Sequence, residues 1–220
     1  SVGPNTADII KWAIDNYTNL SVDTTSYNYV KGRLTNYPSH FAIFNKIDAL
    51  QFVEDIAWQA RCQVWLNLDT LHFRYLPENP SPVDTFTLDD VEEGTLKVSL
   101  TDTENIVTKF TALWKPNYLV SKDNKLVLRY KINVYGEQKQ DFDFYIYNIR
   151  DLVLKSATFW LIRYANTFKR ISFSTFLPKL NLEVNDCITL DLGNSFYANE
   201  PVRAFIESVQ YNSENSLLDF

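Results

Sequence analysis

The stretch LEVNDCITL, residues 182–190, places a polar interruption between two alternating segments. An apolar-polar alternation precedes Asn185 and Asp186, stops at this pair, and resumes after Cys187. A period of two is typical of strands with one buried face, and Asn and Asp favour turns because their side chains bond to nearby backbone. The stretch therefore predicts strands on either side of a structural turn formed by Asn185 and Asp186.

Cys187 also has to be considered as a nucleophile, because it follows an acidic residue. A cysteine nucleophile needs a histidine base nearby in space, and the chain contains only His40 and His72. The pattern favours the turn, so we predict no catalytic residue here. Cys62 is the other cysteine, and the two thiols either pair or stay free. Without a Cys-x-x-Cys motif or a histidine cluster, we predict no metal site and no cofactor.

Further strands are predicted through much of the chain beyond residue 80. Segments rich in β-branched and aromatic residues at a period of two favour antiparallel strands. These segments are DTFTL, TLKVSL, NIVTKFTALW, KLVLRYKINVY, ISFSTFL, CITLDL, VRAFIESVQYN and SLLDF. Residues 212–215 are expected to turn the last two into a hairpin.

Three amphipathic helices interrupt the β pattern. The first is predicted at about 6–18 with Asn5 or Thr6 as N-cap, the second after Asn45, and the third at about 151–169. The second runs directly into QVWLNLDTLHFRYLP, which reads as a β-hairpin turning at Asp69-Thr70. Between 20 and 45 the pattern is weak, and we expect a short extended stretch near 41–44.

The segment PENPSP, residues 77–82, marks a boundary, because its prolines exclude a helix or a central strand. We predict a helix-rich subdomain with a hairpin over 1–80 and a β-rich subdomain with one long helix over 81–220. The fold class is therefore α+β, mainly antiparallel, with barrel-like subdomains and about three inserted helices.

Composition excludes several functions. The net charge of −6 argues against binding nucleic acid, since neutralising phosphates needs a concentrated basic surface. The chain has no apolar run of about 20 residues, the length that crosses a bilayer, and no signal-peptide pattern, so we expect a soluble chain without a membrane span. Motifs for nucleotide binding or α/β-hydrolase chemistry are absent from the sequence. The chain begins at Ser1 and contains no Met, and we expect it to belong to a longer polypeptide.

Two alternative functions stay open at this point. Paired acids are candidates for glycoside hydrolysis or calcium binding, although a solvated turn explains them more simply. The acids are Asp89, Asp90, Glu92, Glu93, Asp141 and Asp143. Aromatic side chains are candidates for a sugar-binding face, although a core or interface position is commoner. The tryptophans considered are Trp58, Trp65, Trp114 and Trp160.

The order of these segments resembles the tail-tip or baseplate hub proteins of tailed bacteriophages. The likeness covers roughly residues 45–220 and rests on a pattern of elements: the helix running into a hairpin, TDTENIVTKFTALW, the long helix DLVLKSATFWLIRYA, and LPKLNLEVNDCITL followed by the C-terminal hairpin. In such hubs the acidic turn usually has the sequence Gly-Asp, whereas Asn185 precedes Asp186 here. Asn is the next-best residue if that position needs a positive φ.

The resemblance implies structural work without catalytic residues. Hubs of this kind join the tail tube to a spike, fibre or lytic module and assemble as a ring, usually a trimer. The expectation is a homo-oligomer that contacts other tail proteins, made in the host cytoplasm and located at the tail tip of the virion. A high aromatic content fits subunit interfaces, and net negative charge suits a channel through which DNA slides. The alternatives are a carbohydrate-binding module for host-surface recognition and a cell-wall-degrading hydrolase, either a peptidase or a glycosidase using acids such as Asp89 or Asp141.

Overall fold

The computed structural model describes residues 3–115, 123–193 and 201–220 and confirms the α+β class. The helices are α1 (Thr6–Tyr17), α2 (Thr24–Arg33), α3 (Ala49–Gln59), α4 (Ile132–Tyr135) and α5 (Arg150–Tyr164). The strands are β1 (Ser21–Val22), β2 (Cys62–Asn67), β3 (Thr70–Tyr75), β4 (Asp84–Thr87), β5 (Lys97–Leu100), β6 (Lys109–Trp114), β7 (Asn124–Arg129), β8 (Lys139–Asp143), β9 (Lys169–Ser172), β10 (Ser174–Thr175), β11 (Cys187–Asp191), β12 (Val202–Phe205), β13 (Gln210–Asn212) and β14 (Leu217–Asp219).

The chain divides into two compact units. The first contains the residues up to Glu78 together with Glu104–Asn166, and the second contains Asn79–Thr103 and Thr167–Phe220. The chain first passes from one to the other within the proline-rich segment 77–82. Each unit has its own cluster of buried apolar side chains.

Two of the predicted helices, α1 and α3, begin at side-chain caps. Asn5 accepts a hydrogen bond from the backbone N–H of Ala7 and starts α1, as predicted. α3 starts at Asp48, whose carboxylate accepts from the N–H groups of Leu50 and Gln51. The prediction of Asn45 as its cap was therefore wrong, because a carboxylate at residue 48 satisfies the free N–H groups of the first turn.

Helix α2 was missed by the sequence analysis. Its only buried residue is Val30, so it lacks the apolar stripe that identifies a helix from sequence. The carboxylate of Asp23 caps it by accepting from the N–H of Ser26. No strand forms at 41–44, where an extended stretch was expected.

The predicted hairpin is strands β2 and β3, which pair from Cys62–Tyr75 to Asn67–Thr70. Its two-residue loop is Leu68-Asp69, one residue earlier than predicted. Leu68 takes a φ of 53°, a conformation that favours Gly or Asn. β1 adds to β3 in parallel and completes a three-stranded sheet.

A second sheet of the first unit has the order β7-β6-β8, with β8 parallel to β6. Helix α5 packs against this sheet and buries Val153, Ala157 and Leu161. It ends at Tyr164 rather than near 169. The chain beyond it enters the β5–β9 ladder, where the N–H of Phe168 donates to the hydroxyl of Thr101.

The second unit is built from small sheets with the orders β12-β11-β4, β10-β14-β13 and β5-β9. The turn predicted at 212–215 is present between β13 and β14, but VRAFIESVQYN forms two strands rather than one. Most ladders are antiparallel, whereas β4 runs parallel to β11. Within the described residues, no sheet closes into a barrel.

Candidate functional site

Asn185 and Asp186 lie in a tight turn that enters β11. The N–H of Asp186 donates to the carbonyl of Glu183, and Asn185 has a φ of 71° at the third position of this turn. A positive φ there is the pattern of a type II turn, which favours Gly and then Asn. The carboxylate of Asp186 accepts from the N–H of Glu183 and is buried. This side-chain bond lies within the turn, while the backbone carbonyl of Asp186 accepts from the N–H of Ile206.

Cys187 follows this turn as the first residue of β11. Burial raises the pKa of its thiol, which keeps it protonated, whereas the thiolate is the reactive form. Cys187 belongs to the second unit, while His40 and His72 belong to the first. Cys62 is likewise buried, and both cysteines are free thiols.

Asp90, one of the candidate acids of the second unit, is bonded within its own local structure. Partial burial raises the pKa of Asp90, but hydrogen bonds from the N–H and hydroxyl of Thr87 outweigh this and lower it overall. The ammonium of Lys179 lies 3.0 Å from Asp84 and 3.9 Å from Asp90. A general acid needs a raised pKa, and the pKa of Asp90 is shifted in the opposite direction.

Asp141 is on β8 in the first unit. A hydrogen bond from Lys139 lowers its pKa, and their charged atoms are 3.2 Å apart. Asp143 is exposed at the end of the same strand. Across residues 3–115, 123–193 and 201–220, no three His, Cys, Asp or Glu side chains are grouped as a metal site.

The predicted tryptophans lie mainly in or against the core. Trp58 and Trp160 stack with ring centroids 5.1 Å apart, and Trp58 also stacks on Phe142 at 5.5 Å. Trp114 is buried in β6, while Trp65 is partly exposed and stacks on a histidine of the facing strand. Packing in or against the core therefore explains the positions of three of these four tryptophans without a ligand.

The first unit has an open, largely apolar groove between α1, residues 39–48 and the start of α3, hereafter the α1 groove. Its volume is about 1260 Å³. Trp12 and Tyr17 of α1 meet edge to face with centroids 5.3 Å apart, and Ile43 and Ile47 line the groove from the connecting segment. His40, Asn45, Lys46 and Asp48 supply its polar lining.

The exposure of these apolar side chains marks the α1 groove as an interaction surface. Trp12 is 40% exposed and Tyr17 66%, and the neighbouring Phe44 is 82% exposed. Clustered exposed apolar residues, unlike scattered ones, are characteristic of protein contact sites or ligand grooves. Sequence reasoning missed this site. α1 carries two apolar faces, of which Ile10 and Ile14 form the buried one, and this was the available signal.

The described fold resembles that of a chain in a gene transfer agent particle and that of a tail protein. A chain in the virion of a native gene transfer agent particle aligns with a TM-score of 0.70 at 8% identity, covering 98% of this chain and 46% of that one. A tail protein from Neisseria meningitidis MC58 aligns with a TM-score of 0.61 at 12% identity, covering 99% of this chain and 65% of that one. This chain therefore spans only part of either.

Sequence comparison adds no family. No family model matches the chain, and no curated protein matches it. Identities of 8% and 12% leave the fold as the shared property. Among the described helices, none is both long enough and apolar enough to cross a membrane.

Proposed function

We propose that this chain is a structural component of a bacteriophage tail, specifically a hub subunit at the tail tip that joins the tube to a spike, fibre or lytic module. The observation that carries the proposal is the fold, which aligns over 98% and 99% of the chain with a particle chain and a tail protein. In this proposal the chain works as a homo-oligomer, with a trimer favoured, and binds other tail proteins.

The α1 groove supports an assembly role. A subunit built into a larger particle presents apolar side chains that neighbours cover, and such surfaces favour aromatic residues. Trp12 and Tyr17 fit that composition. Asp90 and Asp141, two of the acids considered for catalysis, have lowered pKa values and local partners, which disfavours them as general acids.

A second candidate, carbohydrate binding, is favoured by a cleft of about 550 Å³ in the first unit. The rings of Phe142 and Tyr164 lie within 4° of parallel at its wall, with centroids 5.7 Å apart. Asn105, Gln138 and Gln140 add amides, which are suitable for bonding sugar hydroxyls. Such a cleft combines apolar ring surface with a few polar groups.

Light scattering across a concentration series separates the two candidates. The chain is measured alone, then with the tail-tube protein of its own phage, and its tryptophan emission is recorded with cell-wall oligosaccharides. A defined oligomer or a complex with the tube protein supports the hub. Tryptophan emission reports on the cleft because Trp58 stacks on Phe142 in its wall. A chain that binds no tail-tube protein, stays monomeric and changes its emission with oligosaccharide contradicts the hub.

A further inference from the structure

The tip of the β2–β3 hairpin exposes an apolar side chain on a backbone that disfavours it. Leu68 is 92% exposed and has a φ of 53°. Gly, Asn or Asp takes such a φ more readily, and water offers a leucine side chain no compensation. Leu66, in the preceding strand, is also exposed. Strained, exposed positions of this kind are typical of contact sites.

Next to this leucine the loop carries a negative charge. The α1 groove has one basic and one acidic residue in its lining, Lys46 and Asp48, and the Asp48 carboxylate already accepts from two N–H groups as the cap of α3. Asp69 is exposed, and in the described part of the chain its side chain forms no ion pair. Lys46 lines the groove and is exposed, and the described residues likewise provide no ion-pair partner for it. The tip therefore offers a leucine and an aspartate, and the groove offers an apolar lining and a lysine that is not engaged by Asp48.

We propose that the hairpin tip of one copy docks in the α1 groove of a second copy. Leu68 enters between Ile43 and Trp12, and the carboxylate of Asp69 pairs with the ammonium of Lys46. The charge complementarity favours a second copy, because each copy brings both halves of the contact. A groove of about 1260 Å³ exceeds the usual volume of a small-molecule pocket.

This inference rests on the proposed structural role and deepens it by naming the surfaces through which copies assemble. The tip and the groove are different surfaces of the chain, so a contact between the tip of one copy and the groove of the next forms a ring if the rotation between copies closes. Where the exchange is mutual, it forms a two-fold pair. The contact itself is the same in both cases.

Zero-length carbodiimide cross-linking tests the contact directly, because it joins only carboxylates and amines that touch. A mixture of unlabelled and nitrogen-15-labelled chains is cross-linked and digested. We expect a linked peptide pair containing Lys46 and Asp69 with one light and one heavy member. If the chain self-associates but no cross-linked pair with one light and one heavy peptide contains Lys46 and Asp69, the inference is overturned.

Substitutions provide a second test by sedimentation equilibrium. Leu68→Gly removes the apolar tip and suits the positive φ, so the fold is retained. We expect it to raise the dissociation constant of the self-associated form about tenfold or more, as removal of a central apolar contact does. Asp69→Lys and Lys46→Glu should each weaken association, and the double variant should restore it. Lys125→Glu, an exposed charge reversal on β7, is the control.

The outcomes distinguish this inference from the hub. A chain that binds the tail-tube protein but stays monomeric overturns the docking contact and leaves the hub standing. A chain that does neither overturns both. If Leu68→Gly leaves self-association unchanged but abolishes binding of the tube protein, the tip contacts that protein, and docking to a second copy is refuted.

Discussion

The hydroxyl of Ser156 on α5 donates a 2.6 Å hydrogen bond to the backbone carbonyl of Gln59 at the end of α3. The indole N–H of Trp160 donates in the same way to the carbonyl of Trp58 at 3.0 Å. The last carbonyls of a helix lack partners within that helix. Two side chains of α5 therefore complete the end of α3, although about a hundred residues separate them in sequence.

Ser156→Ala is expected to destabilise the first unit. It leaves the buried carbonyl of Gln59 without this donor, and an unsatisfied buried group costs about 1–3 kcal/mol. Urea unfolding followed by tryptophan emission measures the loss. Ser81→Ala, an exposed serine in the proline-rich segment, should change the free energy of unfolding little. Equal effects of the two variants would contradict the capping role.

Asn185→Gly is expected to stabilise the second unit, and Asn185→Ala to destabilise it. Asn185 has a φ of 71°, and Gly reaches this region without the steric cost of a Cβ atom, a difference of about 1 kcal/mol. Asn181→Gly is the matched control, because Asn181 is exposed and has no positive φ. Asn181→Gly should lose stability because glycine raises the conformational entropy of the unfolded chain. A gain in the free energy of unfolding at both positions would refute the turn geometry.

Asp8 is expected to make the first unit sensitive to acid. Partial burial raises its pKa, but hydrogen bonds from Tyr27 and Lys31 outweigh this and hold the pKa below its usual 3.8. Because the folded pKa is the lower one, this stabilisation is complete at pH values above the unfolded pKa. It is lost as the pH falls through the folded value.

Asp8→Asn should therefore lower stability at neutral pH and flatten its decline in acid. Thermal melts between about pH 2 and pH 6 record both effects. Asp15→Asn serves as control, since Asp15 pairs with Lys11 on the exposed side of the same helix, where a pair contributes about 0.5 kcal/mol or less. If the stability of Asp8→Asn declines in acid as steeply as that of the unaltered chain, another group is responsible for the acid sensitivity.

Arg61→Lys is expected to destabilise the first unit despite keeping the charge. Arg61 is 5% exposed, its guanidinium lies 4.0 Å from the ring centroid of Phe159, and it donates to the carbonyl of Leu76. Lysine has neither the flat face nor the fork of donors. We expect a loss of about 1–3 kcal/mol in urea unfolding. Arg129→Lys on the exposed β7 should be neutral, and a neutral Arg61→Lys would rule out a structural role for the guanidinium.

Regular apolar periodicity explains which elements could be predicted from the sequence. α1, α3, α5 and the β2–β3 hairpin each carry such a pattern, and each is present. α2 buries only Val30, so its helix depends on the Asp23 cap and on packing, neither of which periodicity reveals.

The part of the α1 groove that lies outside α1 could not be predicted, for a related reason. Residues 39–48 have no regular structure, and their place beside α1 follows from long-range contacts, such as the bond from the N–H of His40 to the carbonyl of Ile146. The turn at Asn185 could be anticipated because Asn-Asp is a local signal. Local chemistry is readable from a sequence, whereas a surface assembled from distant segments requires the fold.

Cryo-electron microscopy of the intact particle from which the chain comes would test the hub proposal most directly. We expect the described fold to fit density at the tail tip, in several symmetry-related copies that contact the end of the tube. Density for this fold elsewhere in the particle, or purified particles that lack the chain altogether, would contradict it.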